Sequence, residues 1–308
     1  MRIIFMGTPD FSVPTLRALC ESRHEVVGVY TQPDKEKGRG KKLIFSPVKE
    51  YALSEGLPVF QPVKLKDPEV LREMEALRAD AMVVVAYGKI LRPEVLHMTK
   101  YGCFNVHASL LPSYRGAAPI QWAILRGETE TGVTIMQMDE GIDTGDILNT
   151  VKIPIDPEDT GDSLFEKLSV LGGAPLLKTL DEAEEGCLHP VKQGEMTTPY
   201  ASMLTKDFGK IDWKEDAHAI SLKIRGLNSW PSAYTYFHGK MLKIWKGKEE
   251  EGDGTPGTVS EVTKHGFSVA AGKGRIRILE LQPEGKKRMD ADAFLRGYEI
   301  REGDTLGE

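Results

Sequence analysis

Only three cysteines occur in 308 residues: Cys20, Cys103 and Cys187. They are odd in number, far apart and never form a Cys-x-x-Cys pair. This argues against a disulfide scaffold and a cysteine-based zinc site and predicts a reduced, cytoplasmic setting. No run of about 18 apolar residues exists, so no transmembrane helix is expected. The apolar stretch before Gly7 is too short for a signal-peptide core. Aromatic residues make up 7%, too few to announce a repeated stacking platform. Basic residues are outnumbered, 40 against 46 acidic, for a formal charge of −6. That excludes a generic basic nucleic-acid coat and leaves a local basic patch open. The chain has no G-x-x-x-x-G-K-[ST] phosphate loop. In Gly7-Thr-Pro-Asp, Pro9 stands where a dinucleotide fingerprint needs its second glycine, so no nicotinamide or flavin is expected.

What is present is an ordinary globular composition, 40% apolar and 28% charged, with length for two domains. Ile3-Ile-Phe-Met, Glu25 to Tyr30, Ala81 to Ala86, Cys103 to His107 and Gly132 to Met138 read as strands, with helical patterns between the earlier ones. Continuous apolar runs such as Ala81 to Ala86 suit strands buried on both faces. The alternation predicts a doubly wound α/β sheet over residues 1–187. Residues 188–206, rich in Gly, Pro and Thr with little periodicity, read as a linker. Residues 207–308 carry short glycine-punctuated strands and one helix near Ala217 to Leu227, which predicts a small β-barrel or sandwich. Residues 1–189 hold 21 basic and 28 acidic groups, and residues 190–308 hold 19 and 18. The second part is therefore the less repulsive toward a polyanion.

Three segments carry candidate chemistry. Residues 35–42, Lys-Glu-Lys-Gly-Arg-Gly-Lys-Lys, form a basic loop fit either to meet phosphate oxygens or simply to be solvated. Asn105 and His107 alternate by two at the carboxyl end of an apolar strand, where open α/β sheets bind ligands. An amide that stabilises an oxyanion beside an imidazole that moves a proton suits acyl transfer. Met138 to Asp146 places four carboxylates in a glycine-rich loop without calcium-loop spacing. One of them meeting His107 would orient it; sequence physics leaves Asp139, Asp143 and Asp146 as alternatives.

Asn105-x-His107, the Ser109-Leu-Leu-Pro112 run and Asp143 resemble the folate-dependent formyltransferase superfamily. Phe5 to Phe11, Thr31 to Asp34, Gly38 to Lys42, Arg115 to Gln121, Lys210 to Trp213 and Leu281 to Lys287 narrow the resemblance to its methionyl-tRNA formyltransferase family. The resemblance implies a Rossmann-like catalytic domain and an OB-like tRNA-binding domain. It implies Asn105, His107 and Asp143 as the catalytic trio. It places Ser109, Leu110, Leu111 and Pro112 on the folate site, Phe11 near the methionyl pocket, and Arg39, Lys41 and Lys42 against tRNA. The formyl donor would be 10-formyltetrahydrofolate and the acceptor methionyl-initiator tRNA, with no metal. A cytoplasmic monomer is expected. Formylation of an amino-sugar nucleotide, hydrolysis of formyl-folate, and a silent RNA-binding role are the alternatives.

Overall fold

The computed structural model describes residues 1–37 and 42–307. They fall into two compact units. The first comprises Met1–Pro119, Glu130–Pro154 and Phe165–Ala201; the second comprises Ile120–Thr129, Ile155–Leu164 and the chain from Ser202 onward. Among the described residues no helix is long and apolar enough to cross a membrane.

The strands of the first unit are β1 (Arg2–Gly7), β2 (Glu25–Tyr30), β3 (Lys35–Lys37), β4 (Lys42–Ile44), β5 (Val59–Phe60), β6 (Ala81–Val85), β7 (Cys103–His107), β8 (Glu130–Gln137) and β9 (Ile147–Pro154). Seven make one sheet in the order β5-β2-β1-β6-β7-β8-β9, while β3 and β4 form a separate hairpin. From β5 to β7 the strands are parallel. Their apolar runs are covered on both faces, and Ile3 to Met6 are fully buried. The chain reverses its direction of travel between β1 and β6, which creates a crevice at the carboxyl ends. Strands β8 and β9 are antiparallel. The helices over this stretch of chain are α1 (Val13–Cys20), α2 (Pro47–Ser54), α3 (Pro68–Ala76), α4 (Pro93–Leu96), α5 (Pro119–Leu125), α6 (Gly161–Leu171) and α7 (Gly173–Glu185), of which α5 from Ile120 and α6 up to Leu164 belong to the second unit. Ser46 caps α2 by accepting from the Lys49 N–H at 3.1 Å, with Pro47 at the first helical position.

The second unit contains α8 (Ala217–Gly226), β10 (Ala233–Phe237), β11 (Lys240–Glu250), β12 (Val259–Thr263), β13 (Gly266–Ala270), β14 (Arg275–Pro283), β15 (Met289–Asp290) and α9 (Ala291–Gly297). Its strands form an antiparallel sheet in the order β10-β11-β14-β13-β12, with β15 on β14. Inward residues alternate along it: Leu242 and Ile244 on β11, Ile276 and Ile278 on β14, Phe267 and Val269 on β13 all join one core. Register shifts after Ile244 and Lys246 disrupt the ladder of the long β11. Asp216 caps α8, its carboxylate accepting from the Ala219 N–H at 2.7 Å. Two pieces from earlier in the chain belong to this unit. The Arg225 Nε donates to the Asp159 carbonyl at 2.9 Å, and Ser229 N–H donates to the Asp162 carboxylate at 2.9 Å.

Candidate active site

Strand β7 lies inside the large sheet, between β6 and β8. Asn105 pairs with Val84 on one side and Met136 on the other. The two-residue period puts the side chains of Asn105 and His107 on one face. Both are buried, at 9% and 6% exposure. His107 Nε2 donates to the Tyr114 carbonyl at 3.1 Å. Its Nδ1 faces an Asp143 carboxylate oxygen at 3.8 Å. Both partners are acceptors: the Tyr114 contact is a hydrogen bond, and the longer Asp143 contact is within ion-pair reach only. The Asn105 amide makes no hydrogen bond among the described residues. A buried amide left open in this way is available to a ligand.

The loop after β8 separates the carboxylates that the sequence left as alternatives. The Asp139 carboxylate accepts from the Gly141 N–H at 3.0 Å and the Thr144 hydroxyl at 2.7 Å, a local turn bond. Asp143 instead faces His107 and accepts from the Gly116 N–H at 2.9 Å. Its backbone is left-handed, with φ +54°. Gly116 must be glycine. Its φ is +126°, and an added Cβ would sit 2.6 Å from the Ala201 carbonyl oxygen.

The Ser109–Pro112 stretch runs next to this pair in sequence and is tied to β8. The Thr134 hydroxyl donates to the Ser109 carbonyl at 2.7 Å and accepts from the Leu111 N–H at 3.1 Å. The Ser109 hydroxyl is committed to the Ser113 carbonyl at 2.7 Å. Leu111 is buried, and Leu110 lies over Gly132. Phe11 is buried and meets Phe165 edge-on at 5.2 Å between ring centroids. The neighbouring Ser12 hydroxyl donates to the Val85 carbonyl at 2.6 Å, which ties this turn to the carboxyl end of β6. Arg39 and Lys41 lie outside the described residues, and Lys42 is placed by its backbone in β4.

Sequence reasoning missed a set of site residues in 191–201, a segment with neither helix nor named strand. Val191 exchanges two backbone hydrogen bonds with Ile147, each 2.8 Å. The Thr198 hydroxyl accepts from the Tyr114 N–H at 2.8 Å, and the Ala201 N–H donates to the Arg115 carbonyl at 2.8 Å. Gln193 bonds to the Asp143 loop and to Arg115. Burial and the nearby Asp143 charge push the Tyr200 phenol upward. The partners are separated by decades of residues, and no periodicity marks the segment. A cluster of His24, Asp181 and Glu184 has metal-ligand spacing, but Arg23 already pairs with both carboxylates, at 2.6 and 2.7 Å.

Comparison with known proteins identifies the family. Residues 1–180 match the formyl transferase family and residues 203–299 match the formyl transferase C-terminal domain. The chain is 49% identical to the methionyl-tRNA formyltransferase of Lachnospira eligens over 315 aligned residues, covering 100% of both proteins. It is 51% identical to that of Hydrogenovibrio crunogenus, covering 100% of this chain and 99% of the relative. A structure of HypX from Aquifex aeolicus in complex with tetrahydrofolic acid shares the fold, with TM-score 0.63 at 18% identity, over 99% of this chain and 50% of the other. On its full-length similarity at about half identity, the chain belongs to the formyl transferases and, within them, to the methionyl-tRNA formyltransferase family.

Proposed function

We propose that the enzyme transfers the formyl group of 10-formyltetrahydrofolate to the α-amino group of methionine carried by initiator tRNA. The observation that carries the chemistry is the open amide of Asn105 on the same strand face as the His107–Asp143 pair. The amine attacks the formyl carbon and builds a tetrahedral intermediate with a negative oxygen. The Asn105 N–H and the protonated His107 ring stabilise that charge, and Asp143 sustains the ring's positive form. The amine loses a proton, the bond from carbon to folate N10 breaks, and N10 gains a proton. The protonated His107 ring gives its proton to N10 as that bond breaks and takes back the one the amine loses. The oxidation state of the formyl carbon does not change, so the step calls for no redox group.

Ser109 to Pro112 line the pterin side of the site, and the methionyl group approaches the Gly7 to Phe11 turn. The tRNA meets Arg39, Lys41 and Lys42. In the second unit it meets Lys206 and Lys210, both exposed, together with Lys286, Lys287 and Arg288. The enzyme acts as a cytoplasmic monomer. The test is formyl transfer to methionyl-initiator tRNA, with methionyl-elongator tRNA and free methionine as controls. Transfer to the initiator alone supports the reading, whereas transfer to free methionine at the same rate overturns the tRNA requirement. Raising salt should increase KM for tRNA steeply while leaving KM for the folate nearly unchanged, because only the polyanion releases counterions.

A further inference from the structure

We propose that Gln193 is a positioning residue that acts on the chemistry through Asp143; the inference rests on the reading of Asp143 as the partner of His107. One carboxamide makes three bonds. Its Nε2 donates to the Asp143 carbonyl at 2.9 Å and to the Gly145 carbonyl at 2.6 Å. Its Oε1 accepts from Arg115 Nε at 2.9 Å. The next residue, Gly116, donates its N–H to the Asp143 carboxylate at 2.9 Å. Asp143 is therefore gripped at both ends, by its carbonyl and by its carboxylate, and the two grips are joined through Arg115.

The grip answers a specific need. Asp143 holds a left-handed backbone at φ +54°, a conformation that a non-glycine residue keeps only where its surroundings over-determine it. Two donors and one acceptor on a planar group long enough to span both loops describe glutamine. Glutamate lacks the donors, lysine lacks the acceptor and asparagine is one methylene short. Gln193 is itself fixed from both sides. Val191 is paired with Ile147, and the Thr198 hydroxyl accepts from the Tyr114 N–H. It also lies between the two family matches, at residues 1–180 and 203–299, so neither assigns it a role.

The test compares full-length wild-type enzyme with Gln193→Ala, Gln193→Glu, Asp143→Asn and the double variant Gln193→Ala/Asp143→Asn in steady-state formyl transfer, with thermal unfolding alongside. Both Gln193 variants should lose about 10- to 100-fold in kcat, the scale of a small misplacement of a catalytic group. KM for the formyl donor should stay within roughly twofold. The double variant should be no slower than Asp143→Asn alone by more than about twofold, because both changes act on one interaction. A wild-type kcat in Gln193→Glu, or losses that multiply in the double variant, overturns the proposal. So does a fall in kcat matched by an equal rise in KM. If Gln193→Glu fails to fold, Gln193→Asn takes its place and should show the same selective loss in kcat. A wild-type kcat in Asp143→Asn would instead sink the active-site reading, which separates the two failures.

Discussion

The two units handle buried polar groups in opposite ways. In the second unit they are closed among themselves. The partly buried Arg277 bonds Glu250 at 3.1 Å and also pairs with Glu261, while the fully buried Ser268 donates to Glu250 at 2.8 Å. The Trp213 indole donates to the Thr235 hydroxyl at 3.0 Å, and the Asn228 amide donates to the Trp245 carbonyl at 3.0 Å. In the first unit several are left open. The Asn105 amide has no partner, and the fully buried oxygens of Thr15, Tyr30 and Tyr87 without one all lie there, among the described residues. A closed network rigidifies and an open one awaits a ligand.

The largest expected effect tests the open side. Asn105→Ala should lower kcat by about a hundred- to a thousandfold, the scale of one lost oxyanion donor. Its melting temperature should stay close to wild type, because no internal bond is lost. A variant that melts early and still turns over would reverse the assignment. Next comes the closed side. Arg277→Met leaves Glu250 and Glu261 without their cation and should cost about 1–3 kcal/mol by urea unfolding, less than a fully buried pair because the site is partly solvated. Its kcat at low temperature should not change.

That comparison sharpens with pH. Burial works to raise the Glu250 carboxyl, but its bonds to Ser268 and Arg277 outweigh this and hold it below the usual glutamate range. A folded value below the unfolded one means that the stabilisation is full above the ordinary glutamate pKa. It is lost as pH falls through the folded value. Melting curves from pH 7 to pH 3 should converge for wild type and Arg277→Met at the acid end; a constant gap would rule out the linkage. The smallest effect returns to the first unit. Burial pushes the Tyr87 phenol up to about 12, and its oxygen has no partner. Tyr87→Phe should therefore leave stability unchanged or raise it by up to about 1 kcal/mol. A clear loss would show that the hydroxyl is satisfied by internal water.

The sequence made some of this legible and hid the rest for physical reasons. Asn105 and His107 could be read because a two-residue period on an apolar strand fixes both the face and the end of the sheet. The continuous runs Ile3 to Met6 and Ala81 to Val85 disclosed the parallel core for the same reason. The direction of β8 and β9 could not be read, because apolar patterning does not encode it. The distinction between Asp139 and Asp143 is a matter of which tertiary neighbour each meets. Gln193 was hidden more deeply still: its partners at Asp143 and Arg115 lie 50 and 78 residues away, and nothing local marks it.

The second unit is not one continuous piece of chain. Segments 120–129 and 155–164 travel with it, and Arg225 and Ser229 rely on Asp159 and Asp162 from the second of them. A gene fragment that starts at Ser202 would therefore code for an incomplete body, with the donors of α8 and the following turn deprived of their acceptors. Exchange of the two halves between relatives by recombination at that boundary would transplant a surface without its matching supports. The two parts of such an enzyme are constrained to change together, even though each has its own core.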